Sequence, residues 1–387
     1  MQPGPLPAPI LITHPNQLAA LAKELAREPL IAVDTESNSL YAYREQVCLV
    51  QFSTPRLDYL VDPLVLLDLS PLAPLFANPK IEKVFHAAEY DLICLKRDFD
   101  FTFENLFDTM LAARILGRKA VGLGSLLESE FGITLDKRYQ RANWGQRPLP
   151  EYLLAYARLD THYLLDLRHR LKAELEATAH WSLAAEDFQR LCHINQRSFE
   201  PEIEPDFFVS GANDLSPQQH AVLLELLKHR DRIARLQDRP LFKVMATKTL
   251  LAIAEACPSN LEALGRVPGM TTRQVQRHGK ALLQAVQRGL HAEPVHPQRP
   301  PRSDERLVNR LEKLREWRKL KAQALNVESD VVLPRDLMTL IAEQNPSNLT
   351  ELAQILCDVP WRLQQFGGDI LQTLANGNGQ ARRRRSN

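Results

Sequence analysis

Leu30-Ile31-Ala32-Val33-Asp34-Thr35-Glu36 is a run of four apolar residues that ends in two acids separated by a threonine. A short apolar run with branched side chains reads as a buried strand. Successive side chains of a strand point to opposite faces, so Asp34 and Glu36 share a face and can reach one cation. Working outward, Gln46 to Ser53 (QVCLVQFS), Leu57 to Val61 and Lys80 to His86 (KIEKVFH) read as further strands, the last followed by a helical stretch from Ala88 to Lys96. Strands are expected to give way to helices after Phe103. From Pro150 the stretch EYLLAYARLDTHYLLDLRHRLKAELEA spaces its apolar residues three and four apart and reads as one long amphipathic helix. The expectation is an α/β domain, a mixed sheet flanked by helices, over residues 1–205.

The chain of 387 residues is too long for one ordinary core and suggests two to four domains. Its 44% hydrophobic and 25% charged residues are those of a soluble globular protein. No apolar run reaches the roughly 18 residues that span a bilayer. Met1 to Pro9 is proline-rich and lacks the basic and apolar regions of a signal peptide, so a cytoplasmic location is expected. Five scattered cysteines show no zinc spacing, and their odd number argues against a disulfide framework. The net charge of +1 hides an asymmetry. Residues 1–200 carry 21 Lys/Arg against 26 Asp/Glu, a net of −5, whereas residues 212–290 carry 12 against 6, a net of +6. An acidic half followed by a basic module fits carboxylates that hold metal and cations that hold phosphate.

The acidic, proline-containing stretch Pro201 to Asp206 (PEIEPD) marks the end of the first domain, and His291 to Ser303 (HAEPVHPQRPPRS) separates two helical segments. These segments repeat. A shift of 88 residues sets Ile253-Ala254-Glu255 on Ile341-Ala342-Glu343, Pro258-Ser259-Asn260-Leu261 on Pro346-Ser347-Asn348-Leu349, and Gly279 on Gly367. One small helical fold used twice is expected, over 212–292 and 300–378, as two independent globules. A basic tail over 379–387, with Arg382 to Arg385, is expected to be disordered and to add unspecific attraction to a polyanion such as a nucleic acid.

Two further constellations join the strand acids. Tyr156 and Asp160, in YARLD, stand at i and i+4, so on a helix a phenol and a carboxylate aim at one spot. Asp91, in FHAAEYDLICLKR, falls about one turn into a helix, where an acid also suits the helix dipole. Carboxylates without a His or Cys cluster select Mg²⁺ or Mn²⁺ over zinc. Four of them suffice for two ions about 4 Å apart, the arrangement of phosphoryl-transfer enzymes.

In the order and spacing of these pieces the sequence resembles ribonuclease D, of the DEDDy subfamily of 3′-to-5′ exonucleases, over nearly the whole chain. The family's three motifs match DTE at Asp34 to Glu36, the HAAEYD stretch ending at Asp91, and Tyr156 with Asp160. FDTMLAARILG from Phe107 and NWGQRPL from Asn143 also look like ribonuclease D. The two repeats resemble HRDC domains. The first has the basic LLKHRDRIAR segment and a VPGMT turn at Val267 to Thr271; the second departs from it with Ile355-Leu356-Cys357. The fold class implied is a ribonuclease H-like mixed sheet followed by two small all-α HRDC-type domains. The activity implied is removal of nucleoside 5′-monophosphates from RNA 3′ ends, with precursors of tRNA and other small stable RNAs as substrates. By the resemblance, Asp34, Glu36 and Asp160 hold one metal, and Asp34 with Asp91 the second. Tyr156 is cast as the orienter of the attacking water, because a phenol of ordinary pKa is protonated at neutral pH.

His86, Asp108 and His162 have structural readings: a strand end, a helix cap near Thr109, and a place in the long helix. Lys137, Arg138, Tyr139, Arg141, Trp144 and Arg147 interleave cations with aromatics and suit single-stranded RNA. The alternative is a solvated loop with Trp144 buried at the domain's edge. Lys228, Arg230 and Arg232, with Arg235 and Lys243, extend the cationic set. A DNA 3′-to-5′ exonuclease and a noncatalytic RNA-binding scaffold are the competing functions. Neither a membrane nor an obligate protein partner is expected.

Overall fold

Among the described residues six strands form one sheet: β1 (Ile10–Ile12), β2 (Leu30–Ser37), β3 (Val47–Ser53), β4 (Asp58–Val61), β5 (Glu82–Phe85) and β6 (Leu106–Asp108), in the order β1-β4-β3-β2-β5-β6. β3 runs antiparallel to β4, while the β1–β4, β2–β5 and β5–β6 pairs are parallel. Around the sheet lie α1 (Pro15–Leu25), α2 (Ala73–Phe76), α3 (Glu89–Phe99), α4 (Thr109–Ile115), α5 (Leu123–Phe131), α6 (Glu151–Ala157), α7 (Leu159–His162), α8 (Leu164–Ala177) and α9 (Trp181–Leu191). This is a mixed sheet of the ribonuclease H-like exonuclease type. The computed structural model describes residues 6–193, 211–296 and 304–383.

The alternation of β2 organises both layers. Ile31 and Val33 pack with Leu18 and Leu21 of α1 and Leu92 and Leu95 of α3. Ala32 faces the other way, into a core with Ala112 of α4 and Leu167 and Leu171 of α8. By the same period of two, Asp34 and Glu36 continue the Ala32 face, at the strand's end.

Two expectations about elements need correction. A sixth strand follows Phe103, because Leu106–Asp108 pairs with β5 although three residues are too few to show alternation. The long helix after Pro150 is three pieces, α6, α7 and α8, with Tyr163 at φ −100° and ψ 0° breaking the last junction. Arg158 keeps helical dihedrals between α6 and α7, so the one-turn relation of Tyr156 to Asp160 survives.

The repeat is expressed helix by helix. The first copy has α10 (Pro217–Gln237), α11 (Leu241–Val244), α12 (Thr247–Ala256), α13 (Leu261–Gly265) and α14 (Thr272–His291); the second has α15 (Glu305–Leu325), α16 (Ser329–Val332), α17 (Arg335–Gln344), α18 (Leu349–Ile355) and α19 (Pro360–Arg383). Each helix starts 88 residues after its counterpart. Asn260 accepts from the Ala263 amide at 2.8 Å and Asn348 from the Glu351 amide at 3.0 Å, so both copies cap the same helix with the same residue. The shared glycine has a packing cause: a Cβ on Gly279 would lie 2.6 Å from Leu261 Cδ2, and one on Gly367 3.1 Å from Leu349 Cδ2.

The chain divides into two compact units, one of Met1–Glu36, Val47–Gln196 and Arg302–Asn387, the other of Ser37–Gln46 and Arg197–Pro301. The second helical copy is therefore not the independent globule expected. Val331 is buried in the core of the α/β domain and Trp361 packs against it. Arg362 is fully buried, 3.0 Å from Glu186 and 2.8 Å from Asp187 of α9. Periodicity reveals no such contact, because it depends on partners far along the chain. The last helix, α19, runs to Arg383, into the stretch read as a disordered tail. Residues 384–387, the stretch Pro201 to Asp206 and residues 297–303 of the second linker lie outside the described residues. Among those described, no helix is long and apolar enough to cross a membrane.

Candidate active site

A cleft of about 420 Å³ opens where β2 ends. Asp34, Glu36, His86, Tyr156 and Asp160 line it together with Gly122, Leu123, Gly124 and Ser125 at the start of α5, and Leu135, Asp136 and Gln140 beyond that helix. Asp34 and Glu36 come from the strand and Asp160 from α7. Each offers a carboxylate oxygen, and the three oxygens lie within 4.8 Å of one another.

Asp91 is not one of those three, although its charge reaches all of them. It sits in the first turn of α3, 7% exposed, and its carboxylate accepts from the Thr35 hydroxyl. Thr35 lies between the two strand acids, so strand alternation sends its side chain toward α3. Asp91 thus approaches from the other layer of the sheet. The turn that carries it is fixed by Asp108, which caps α4 through the Met110 and Leu111 amides (2.8 and 3.0 Å) and also accepts from the amides of Ala87 and Ala88 (3.2 and 2.7 Å). The cap reading for Asp108 holds, and its second pair of bonds was not legible.

The electrostatics of the cluster are those of a site built for positive charge. Burial, then the charges of Asp91, Asp160 and Glu36, pushes the Asp34 carboxyl well above the carboxylate range. Glu36 is pushed up by burial and then by Asp160 and Asp91. Burial raises Asp91 to about 7, against the lowering effect of Thr35. Asp160 is raised to about 7 by burial and by Asp91. Clustered acids that resist ionisation are satisfied by a cation of high charge, and all-oxygen donors suit a hard divalent ion. The donor set fits a metal.

Tyr156 is 8% exposed, with its ring 5.7 Å from Tyr139 and 6.1 Å from Trp144. Burial, followed by Asp160, Glu36 and Asp34, pushes its phenol upward, so at neutral pH it is a hydrogen-bond donor. His162 Nδ1 meets both oxygens of Asp58 at 2.9 and 3.0 Å, and Ser53 Oγ donates to Asp58 at 2.7 Å while meeting Thr161 Oγ1 at 2.7 Å. This network ties α7, and with it Asp160, to β3 and β4.

The expected RNA-binding set divides. Trp144 is 1% exposed, which leaves no face for a base; the buried-edge reading is the right one. Arg147 is also withdrawn. Its Nε and Nη2 contact Asp62 at 2.6 and 2.7 Å, and its remaining donors go to the carbonyls of Cys48, Trp144 and Gln146. It closes the loop onto β3 and β4. Arg138 stays exposed, paired with Asp136 at 2.5 Å and 5.5 Å from the Tyr139 ring centroid, and Arg141 is exposed as well. The Lys137 side chain lies outside what is described. In the other unit Arg230 is 9% exposed and donates to Thr247 at 2.8 Å, so it is a core residue. Lys228 pairs with Glu225 at 3.1 Å yet remains 60% exposed, and Arg232 is exposed with one nitrogen 3.1 Å from His229 Nδ1. Arg235 donates to the Tyr43 hydroxyl at 2.7 Å, and Lys243 lies 4.0 Å from the Tyr41 ring centroid.

Tyr152 was missed. It is 53% exposed, 5.1 Å from the Tyr139 ring, and one helical turn before Tyr156. The i, i+4 spacing to Tyr156 was the available signal.

Residues 9–176 match the 3′-5′ exonuclease family, and residues 219–286 and 308–374 match the HRDC domain. Fold, cleft and matches define the class: a 3′-5′ exonuclease domain followed by two HRDC modules. Ribonuclease D of Pseudomonas paraeruginosa (strain DSM 24068 / PA7) is 31% identical over 372 residues, covering 92% of this chain and 95% of that protein. The chain belongs to the ribonuclease D family. The crystal structure of Escherichia coli RNase D, titled an exoribonuclease involved in structured RNA processing, is similar with a TM-score of 0.70 at 26% identity, covering 95% of this chain and 99% of that one. Protein RRP6-like 1 of Arabidopsis thaliana is 34% identical over 292 residues, 72% of this chain. The match spans 46% of that protein's length, and 31% and 33% of two other RRP6-like proteins of the same plant.

Proposed function

We propose that this chain is a metal-dependent 3′-5′ exoribonuclease that releases nucleoside 5′-monophosphates one at a time. The observation that carries the reading is the convergence of Asp34, Glu36 and Asp160 within 4.8 Å in an open cleft, with Asp91 held beside them by Thr35. Asp34, Glu36 and Asp160 would hold one divalent cation, and Asp34 with Asp91, directly or through water, would hold a second. When bound, such cations (Mg²⁺ or Mn²⁺) make a water acidic enough to attack near neutral pH and offset charge on the leaving oxygen. Tyr156 donates from its phenol and orients that water; the upward push on its pKa disqualifies it as the base. A water oxygen bonds to the phosphorus of the terminal nucleotide, the bond to the 3′-oxygen of the preceding nucleotide breaks, and that oxygen takes up a proton.

The substrate is the single-stranded 3′ end of a structured RNA, with tRNA precursors and other small stable RNAs as natural examples. Exposed Tyr152 and Arg138, each close to the Tyr139 ring, offer a base-stacking and phosphate-contacting approach to the cleft. The basic first HRDC module adds phosphate affinity through Lys228 and Arg232. A cytoplasmic site of action goes with such substrates. The test is a 3′-labelled RNA and the matched DNA, each with Mg²⁺ and with chelator. Release of labelled monophosphate from RNA alone supports the reading; equal rates on DNA favour a DNA exonuclease, and no release from either favours a noncatalytic scaffold.

A further inference from the structure

His86 lines the cleft with Asp34, Glu36, Tyr156 and Asp160, yet nothing in the chemistry above uses it. Its tautomer follows from its neighbours. The Thr109 hydroxyl donates to the Phe85 carbonyl at 3.0 Å, which spends its single proton. His86 Nδ1 lies 2.9 Å from that same hydroxyl oxygen. With the proton directed to Phe85, the contact is a hydrogen bond only if Nδ1 carries hydrogen and donates to Thr109. The opposite tautomer leaves Thr109 and Phe85 as two acceptors in contact. A neutral imidazole has one N–H, so Nε2 then holds a bare lone pair. Burial keeps the ring below its ordinary pKa and favours that neutral form.

Nε2 has no hydrogen-bond partner among the described residues and is not one of the sealed polar atoms, so its open side is the cleft. A lone pair there repels phosphate oxygens and carboxylates and calls for an O–H or N–H donor. A nucleotide whose phosphate lies at the carboxylate cluster carries its nearest O–H donors on the ribose, whereas the amino groups of the base are farther away.

We propose that His86 Nε2 accepts a hydrogen bond from a ribose hydroxyl flanking the scissile phosphate. This rests on the exoribonuclease reading and deepens it: His86, oriented by Thr109 from the first turn of α4, becomes a residue that holds a ribose at the 3′ end, and one that distinguishes RNA from DNA if the deletion it responds to is of a 2′-hydroxyl.

The experiment compares kcat/KM for the first nucleotide released from four otherwise identical oligoribonucleotides. One is all-ribo; the others lack the terminal 2′-hydroxyl, the terminal 3′-hydroxyl or the penultimate 2′-hydroxyl. Wild type, His86→Phe and His86→Gln are assayed, the first variant removing the acceptor and the second supplying an amide carbonyl. An unpaired buried acceptor costs about 1–3 kcal/mol, so one deletion should slow the wild type about 5- to 150-fold. His86→Phe should fall by a similar factor on the all-ribo substrate and be indifferent to that deletion, while His86→Gln keeps part of the discrimination. Wild-type cleavage of the all-ribo oligonucleotide checks the exoribonuclease reading by itself. Given that cleavage, the assignment is overturned if wild type treats all four ends alike, if His86→Phe discriminates as wild type does, or if it slows on all four by one factor.

Discussion

The Thr35 hydroxyl donates to the Asp91 carboxylate, joining the strand that carries two of the site's acids to the helix that carries a third. The residue between Asp34 and Glu36 is therefore a structural part of the site, and it does its work on the opposite side of the strand.

Thr35→Val preserves shape and removes that donor. Asp91 then has one anchor fewer, and the expected loss is roughly 1–2 kcal/mol in its placement. In a titration of RNA cleavage against Mg²⁺, the half-saturating concentration should rise several-fold while the limiting rate changes less. An unchanged titration curve would show that Asp91 needs no help from the strand.

Asp160 and Tyr156 should part company under substitution. Asp160→Asn removes a ligand charge and should reduce kcat by about 1,000-fold or more, beyond what the loss of a single neutral donor produces. Tyr156→Phe removes only a donor to the water and should leave activity reduced about 10- to 100-fold. Equal and complete loss in both, measured by single-turnover cleavage, contradicts the division of roles.

The raised carboxyls also predict how stability depends on pH. Asp91 and Asp160 titrate near 7 in the fold, against about 3.9 for an unperturbed aspartate. A folded-state pKa above the unfolded one means that the folded form binds more protons between those values. The stability from this source is fully present below about pH 4 and is lost as pH rises through 7. In chelator, the melting temperature of wild type should fall from pH 5 to pH 8 more steeply than that of Asp160→Asn. Mg²⁺ should stabilise wild type strongly at pH 8 and weakly at pH 5, where protons hold the site. An equal Mg²⁺ effect at both pH values would mean that these acids do not hold the ion.

Strands β2 to β5 and two pairs of the site's residues were legible in the sequence because they rest on local periodicity, whereas the short edge strands β1 and β6 were not. Asp34 with Glu36 follows from the strand period and Tyr156 with Asp160 from one helical turn, and both relations hold in space. Asp91 could be placed only by resemblance, since its anchor Thr35 lies 56 residues away. Arg147 and Trp144 looked like RNA contacts because loop residues rich in cations and rings resemble binding segments. The partners that withdraw Arg147, Asp62 and Cys48, are 85 and 99 residues distant. The second HRDC module was read correctly as a repeat and wrongly as free, because a buried arginine looks like any surface arginine until its acids are known.

That arginine gives a stability prediction. Arg362→Ala leaves Glu186 and Asp187, 8% and 14% exposed, without their cation. Removing one partner of a buried ion pair costs about 3–5 kcal/mol. Urea unfolding followed by tryptophan fluorescence should show a loss of that size; a change below about 1 kcal/mol would mean that the module is held by its apolar contacts alone.

The most direct test of the central claim follows the products of a 3′-end-labelled RNA, with wild type and Asp160→Asn side by side in Mg²⁺ and in chelator. Stepwise release of nucleoside 5′-monophosphate by wild type in Mg²⁺, absent in chelator and in the variant, is the predicted result. Internal cleavage, products bearing a 3′-phosphate, or release undiminished by chelator or by the variant would contradict it.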